Sequence, residues 1–144
     1  MVYKIKYIGN PEGIDLVSFI PDDTNNFFLE VEIEVQFGDN EDNYESYFFS
    51  IGSPEGLASY CRALLKTTEK IYGGKGISFI DSVIVIERYD YHQILKCVRD
   101  YLQEIKGKTQ TEQSLILARR MDWEFLEEHP DSYQTVFSNL RNGK

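Results

Sequence analysis

The stretch "FFLEVEIEVQFGDNEDNYESYFFSI", residues 27–51, decides how this chain folds. In its first half Leu29, Val31, Ile33, Val35 and Phe37 alternate with Glu30, Glu32, Glu34 and Gln36. Successive side chains of a strand point to opposite faces, so this period of two predicts a strand with one apolar and one wet side. A parallel strand buried on both faces would be apolar throughout; alternation predicts an antiparallel sheet. "GDNEDN" is rich in turn residues, and "YESYFFSI" reads as the return strand of a hairpin.

Working outward, "VYKIKYI" (2–8) also alternates and predicts a first strand, with Tyr3, Ile5 and Tyr7 opposite Lys4 and Lys6. The connector "NPEGIDLVSFIPDDTNN" carries turn residues at both ends, with a short helical turn expected near Asp15–Phe19. After the hairpin, Ser53 is a good N-cap and Pro54 suits the first helical position. Leu57, Ala58, Cys61, Leu64 and Leu65 then fall at helical spacing over 54–70. "GGKG" (73–76) breaks the chain before "FIDSVIVIERY" (79–89), whose unbroken β-branched run predicts a strand buried on both faces and central in its sheet.

Asp90 and Gln93 have capping-box spacing and open a helix over 91–106 that buries Ile94, Leu95, Val98, Tyr101, Leu102 and Ile105. The cap accounts for the charged knot "ERYD" without any catalytic role. Thr109 and Glu112 repeat the cap for a helix over 110–121, with Leu115, Leu117, Ala118 and Met121 apolar. Asp131 and Gln134 cap a last amphipathic helix at about 131–141. The expected fold is α+β: a mostly antiparallel sheet of about four strands, with three to four helices packed mainly on one face. The length suits a single domain over 1–144, large enough to fold without disulfides or metal.

Charge narrows the function. There are 24 acidic and 15 basic side chains, a net charge of −9. Binding a phosphate backbone needs a basic footprint, so direct nucleic-acid binding is not expected. No apolar run reaches the ~20 residues of a membrane span. The N-terminal "MVYKIKYIGN" lacks an apolar core of signal-peptide length. Two widely separated cysteines, Cys61 and Cys97, form neither a disulfide framework nor a metal pair; both are expected as small buried hydrophobes. The expected compartment is the cytoplasm.

The search for chemistry yields little. His92 and His129 have no second histidine at ligand spacing, so no metal site is expected. "YGGKGIS" lacks the spacing of a phosphate loop, and no nucleophile elbow, dinucleotide fingerprint or C-x-x-C is present, so no cofactor is expected. The acidic residues form one constellation. Glu30, Glu32 and Glu34 line one strand face, extended at the hairpin by Asp39, Glu41, Asp42 and Glu45. Like charges on one strand face cost stability, so they suggest an acidic docking surface; a merely solvated face is the plain alternative. Trp123 is expected to pack in the core.

The stretches "IDLVSFIPDDTNNFFLEVEIEVQ", "ESYFFSIGSPEGLA", "VIVIERYDYHQILKCVRDYL" and "RRMDWEFLEEH" together resemble the immunity protein 8 family of bacterial polymorphic toxin systems. The resemblance lies in their series, not in one chemical signature. It implies a small α+β, non-catalytic protein that binds and neutralises a cognate toxin C-terminal domain, a basic nuclease being one such partner. A homodimer is left open. The chain departs from the family pattern in its added helix at 131–141 and in a longer 66–79 stretch. The alternatives are a small cytosolic enzyme with a carboxylate-based site and a general protein-interaction module.

Overall fold

The computed structural model describes residues 3–67, 80, 82–105 and 108–123. Strands β1 (Tyr3–Gly9), β2 (Phe28–Phe37) and β3 (Tyr44–Gly52) form an antiparallel meander. The far edge of β3 is shared. β4 (Val83–Val85) pairs in parallel with Ser50–Gly52, and the two-residue β5 (Asp122–Trp123) pairs antiparallel with Tyr47 and Phe48. Helix α1 (Pro54–Thr67) lies between β3 and β4 in the chain. Helices α2 (Tyr91–Leu102) and α3 (Gln110–Leu117) follow, with a 3-10 turn over Gln103–Ile105. The fold is the expected α+β, with a mixed sheet and three helices among the described residues.

The odd positions of β2 build the core. Val31, Ile33, Val35 and Phe37 are buried against Ile94, Val98 and Leu102 of α2 and against Leu115 and Leu117 of α3. Each fully buried aliphatic side chain contributes about 1.5–3 kcal/mol relative to exposure. α3 also buries two polar residues. Gln113 donates to Ile105 O (3.0 Å), and Ser114 donates to Gln110 O (2.9 Å) and to Glu45.

Four expectations change. The run at 83–86 is not central: β4 lies at the sheet edge and Val85 is 53% exposed. β5 occupies the neighbouring part of β3, leaving β4 only three paired residues. β1 does not alternate throughout, because the register shifts between Ile5 and Tyr7. A bulge places one extra residue in a strand, and here it moves Tyr7 to the acidic face opposite Glu34 and puts Ile8 in the core. The apolar stripe of α1 is only partly covered: Leu57, Ala58, Cys61 and Leu64 are half-buried, and Leu65 is exposed. Cys97 is exposed, since it lies on the flank of the Ile94–Val98 stripe of α2.

Two joints set the geometry. At the first, the Ser53 hydroxyl accepts from Phe27 N (3.1 Å) and Gly56 N (3.1 Å), while Ser53 N donates to Phe27 O (3.1 Å). Ser53 is thus both the expected N-cap of α1 and a clamp on the start of β2. Gly56 is required there, because a Cβ would overlap the Phe27 carbonyl.

The second joint is the knot. Asp90 Oδ1 accepts from His92 N (3.0 Å) and Gln93 N (3.2 Å), as the capping spacing predicts. Tyr89 donates its hydroxyl to Leu16 O (3.0 Å), and its N–H meets Thr24 O (2.8 Å). Its ring packs edge-on against Phe19 and Phe27. The knot therefore staples the 10–26 connector to the sheet. The predicted helix at 131–141, His129 and the "GGKG" break lie outside the described residues, as does the Trp123 side chain.

Candidate partner-binding surface

The even positions of β2 form a row on the sheet face opposite α2 and α3. Glu30 sits beside Ser50, Glu32 between Gly9 and Phe48, and Glu34 between Tyr7 and Ser46. Glu30 is exposed; Glu32 and Glu34 are half-buried. Carboxylates two residues apart on a strand are separated by about 7 Å, within one Debye length at physiological salt. Their repulsion is therefore felt. Among the described residues no cation comes within ion-pair distance of Glu30, Glu32 or Glu34.

α1 reaches only the end of this face, where Tyr60 stacks flat on Phe28 at 4.0 Å between ring centroids. Aromatic residues interleave with the acids: Tyr7 from β1, Phe48 and Tyr44 from β3. The Tyr7 ring lies along its own strand. A Cβ on Gly9 would overlap its hydroxyl, which donates to Asn10 O (2.7 Å) and Ile14 O (3.3 Å). Desolvation pushes the Tyr7 phenol above its ordinary pKa, with Glu32, Asp15 and Glu34 adding to the rise. Three carboxylates thus act on one hydroxyl.

The hairpin carries Asp39, Glu41 and Asp42, all exposed. Its shape is fixed from within. Gly38 takes φ +75°, which a glycine adopts without strain, and Asn40 Oδ1 accepts from Asp42 N (3.0 Å). Asn43 and Gln110 exchange two amide hydrogen bonds of 3.0 Å, which ties the turn to α3. Lys6 Nζ donates to Glu41 O (2.8 Å) and lies 4.1 Å from the centre of the Tyr44 ring. Lys6 therefore meets the hairpin through a carbonyl and an aromatic face.

Glu45 leaves the constellation. It pairs in register with Val35, so it belongs to the covered face, where it accepts from the Tyr47 hydroxyl (2.9 Å) and from Ser114. Glu30, Glu32 and Glu34 share one strand face, and Asp39, Glu41 and Asp42 share the turn at the end of β2. Tyr7 and Asp15 were missed from sequence. Only the β1 bulge, invisible in the alternation, brings Tyr7 to Glu34.

A second concavity, about 740 Å³, opens between β4, α2 and the turn after α3. Phe49, Ile84, Val98 and Met121 line it together with the exposed charges Asp100, Glu104, Arg119 and Arg120. Its Tyr101 hydroxyl donates to Ile116 O (2.6 Å) and Leu117 O (3.2 Å), completing the end of α3. Desolvation first, and Glu104 second, push Tyr101 to about 12. The exposed Cys97 also borders this cavity. Among the described residues no group of three or more His, Cys, Asp or Glu side chains could hold a metal ion. Among them, too, no helix is long and apolar enough to cross a membrane.

Fold and surface together define an α+β protein with an acidic, aromatic-studded sheet face. The chain belongs to the Immunity protein 8 family, whose model matches residues 3–128. No curated protein and no solved structure gave a significant match. Membership makes this an immunity-type protein, a class whose members are generally non-catalytic and answer to a cognate toxin.

Proposed function

We propose that this protein acts in the cytoplasm as a non-catalytic inhibitor that binds and neutralises the C-terminal domain of a cognate bacterial toxin. The toxin meets Glu30, Glu32 and Glu34 together with Asp39, Glu41 and Asp42. The observation that carries this reading is the row of carboxylates Glu30, Glu32 and Glu34 with no cation within ion-pair distance among the described residues. A solvated face needs no such concentration of like charge, which costs stability in the free protein. A basic partner removes that cost on binding. A toxin that acts on nucleic acid presents such a basic surface, because its substrate is a polyanion. Carboxylates held on a rigid strand and a clamped turn then stand in for phosphates, and their field speeds encounter.

Co-expression with the toxin domain encoded next to the gene tests the function: growth should be restored and the two proteins should co-purify. The triple variant Glu30→Lys, Glu32→Lys, Glu34→Lys tests the surface. Association with the toxin domain should slow and lose most of its salt dependence, while fold stability changes by no more than about 0.5 kcal/mol, as for most surface substitutions. Unchanged association at low salt would remove the stripe from the interface.

A further inference from the structure

The connector between β1 and β2 carries the two most exposed aliphatic residues among the described residues, Ile20 and Val17, with Ile14 beside them. Ile14 is 48% exposed, Val17 58% and Ile20 75%, whereas Leu16 between them is buried. Single exposed aliphatics are ordinary on protein surfaces; three within seven residues of one loop are not.

The loop is also held in place. Asn10 Oδ1 accepts from Glu12 N (3.1 Å) and Ile14 N (2.8 Å), and Asn10 N donates to Ile14 O (2.9 Å). Asp15 Oδ1 accepts from Val17 N (3.0 Å) and caps the 3-10 turn Leu16–Ser18. Tyr7 and Tyr89 donate their hydroxyls to Asn10 O and Leu16 O from either side. An apolar loop fixed in this way loses little conformational entropy when a partner covers it.

Its location links it to the acids. Asp15 forms a bridge with Gly9, and Gly9 pairs with Glu32. Two inter-strand steps of about 4.8 Å place the loop about 10 Å from the carboxylate row. The apolar loop therefore borders the strand that flanks the acids of β2. Stable interfaces have this composition: apolar residues at the centre hold, and charges at the margin steer.

We infer that Ile14, Val17 and Ile20 are the apolar anchor of the toxin contact, and that the toxin presents there an apolar patch bordered by lysine or arginine. This rests on the proposed function and extends it, because it separates holding from steering. Most affinity differences within one interface appear in the dissociation rate. The test is stopped-flow and surface-binding kinetics of the double variant Val17→Ser, Ile20→Ser with the purified toxin domain, alongside the triple lysine variant. The double variant should dissociate at least about tenfold faster, with association within about twofold of the parent and an unchanged melting temperature. Ile20→Ser alone, outside the 3-10 turn, supplies the same readout if the double variant does not fold.

An unchanged dissociation rate, with the parent complex forming normally, overturns the anchor. So does a parent that self-associates through the loop, shown by sedimentation as a dimer that the double variant abolishes, if toxin dissociation is unaltered. Faster dissociation in the double variant with unaltered association in the lysine variant keeps the anchor and removes the stripe. Failure of the parent to bind any toxin domain encoded beside it overturns the proposed function, and the anchor with it.

Discussion

Glu34 and Glu45 sit on adjacent strands of one hairpin and meet opposite fates. Glu45 stands opposite Val35 on the covered face, where Tyr47 and Ser114 both donate to it. Glu34 stands opposite Ser46 on the open face, half-buried, beside the Tyr7 ring. A carboxylate taken into a fold needs donors, and Glu45 has them. A carboxylate left on a surface needs none, and it keeps its charge available to a partner. The difference separates an acid bonded within the fold from one left without such donors among the described residues, although the two are indistinguishable by residue type.

The contrast extends to the sheet: the side under α2 and α3 and the joints are closely packed, whereas on the other side Glu30, Glu32 and Glu34 keep solvent contact, although Gln36 and Ser46 there are buried. The largest effect is expected at the closed joint. Gly56→Ala places a Cβ on the Phe27 carbonyl, and backbone cannot swing aside as a side chain can. A loss of about 3 kcal/mol is expected from such overpacking. Chemical denaturation measures it, and a midpoint equal to the parent's would show that α1 is not clamped to β2.

The next effect tests the two carboxylates directly. Glu45→Ala removes an acceptor from the Tyr47 hydroxyl, whose residue is fully buried, and should cost about 1–3 kcal/mol. Glu34→Ala should stay within about 0.5 kcal/mol. Equal losses in the two variants would erase the distinction between the faces.

The smallest effect appears in alkali. Desolvation pushes both Tyr89 and Tyr101 to about 12, and each hydroxyl donates to a backbone carbonyl. A raised native pKa means that the native state holds a proton which the unfolded chain releases above about 10. The corresponding stability is fully present below pH 10 and is lost as pH climbs from 10 to about 12. Both side chains are only half-buried, so solvent screening keeps the loss below the roughly 1.4 kcal/mol per pH unit of an unscreened group. Denaturant midpoints across this range should fall for the parent and fall less for Tyr89→Phe. A flat profile would mean that neither hydroxyl is held as the geometry requires.

Local periodicity carried much of this protein. The alternation of β2 determines its buried and open faces, because side-chain direction along a strand is a property of the backbone alone. The caps at Ser53, Asp90 and Thr109 follow from the need of first-turn amides for acceptors close in sequence. The acidic row on β2 was legible for the same reason.

Tertiary structure decided what depends on which segments meet. The bulge that carries Tyr7 across to Glu34 is a register event between two strands, and neither strand encodes it alone. The short pairing of β4 goes with β5 on the neighbouring part of the same side of β3, an arrangement of segments about 40 residues apart. Glu45 reads as part of the acidic hairpin, yet its role depends on hydroxyls from Tyr47 and from Ser114 of α3. The exposed aliphatics of the connector carry no signal of their own beyond its expected short helical turn. They remain outside because Leu16 and Phe19, held by Tyr89, take the inward positions of that loop. Local sequence sets which way a backbone presents its side chains, and only long-range contact sets what they face.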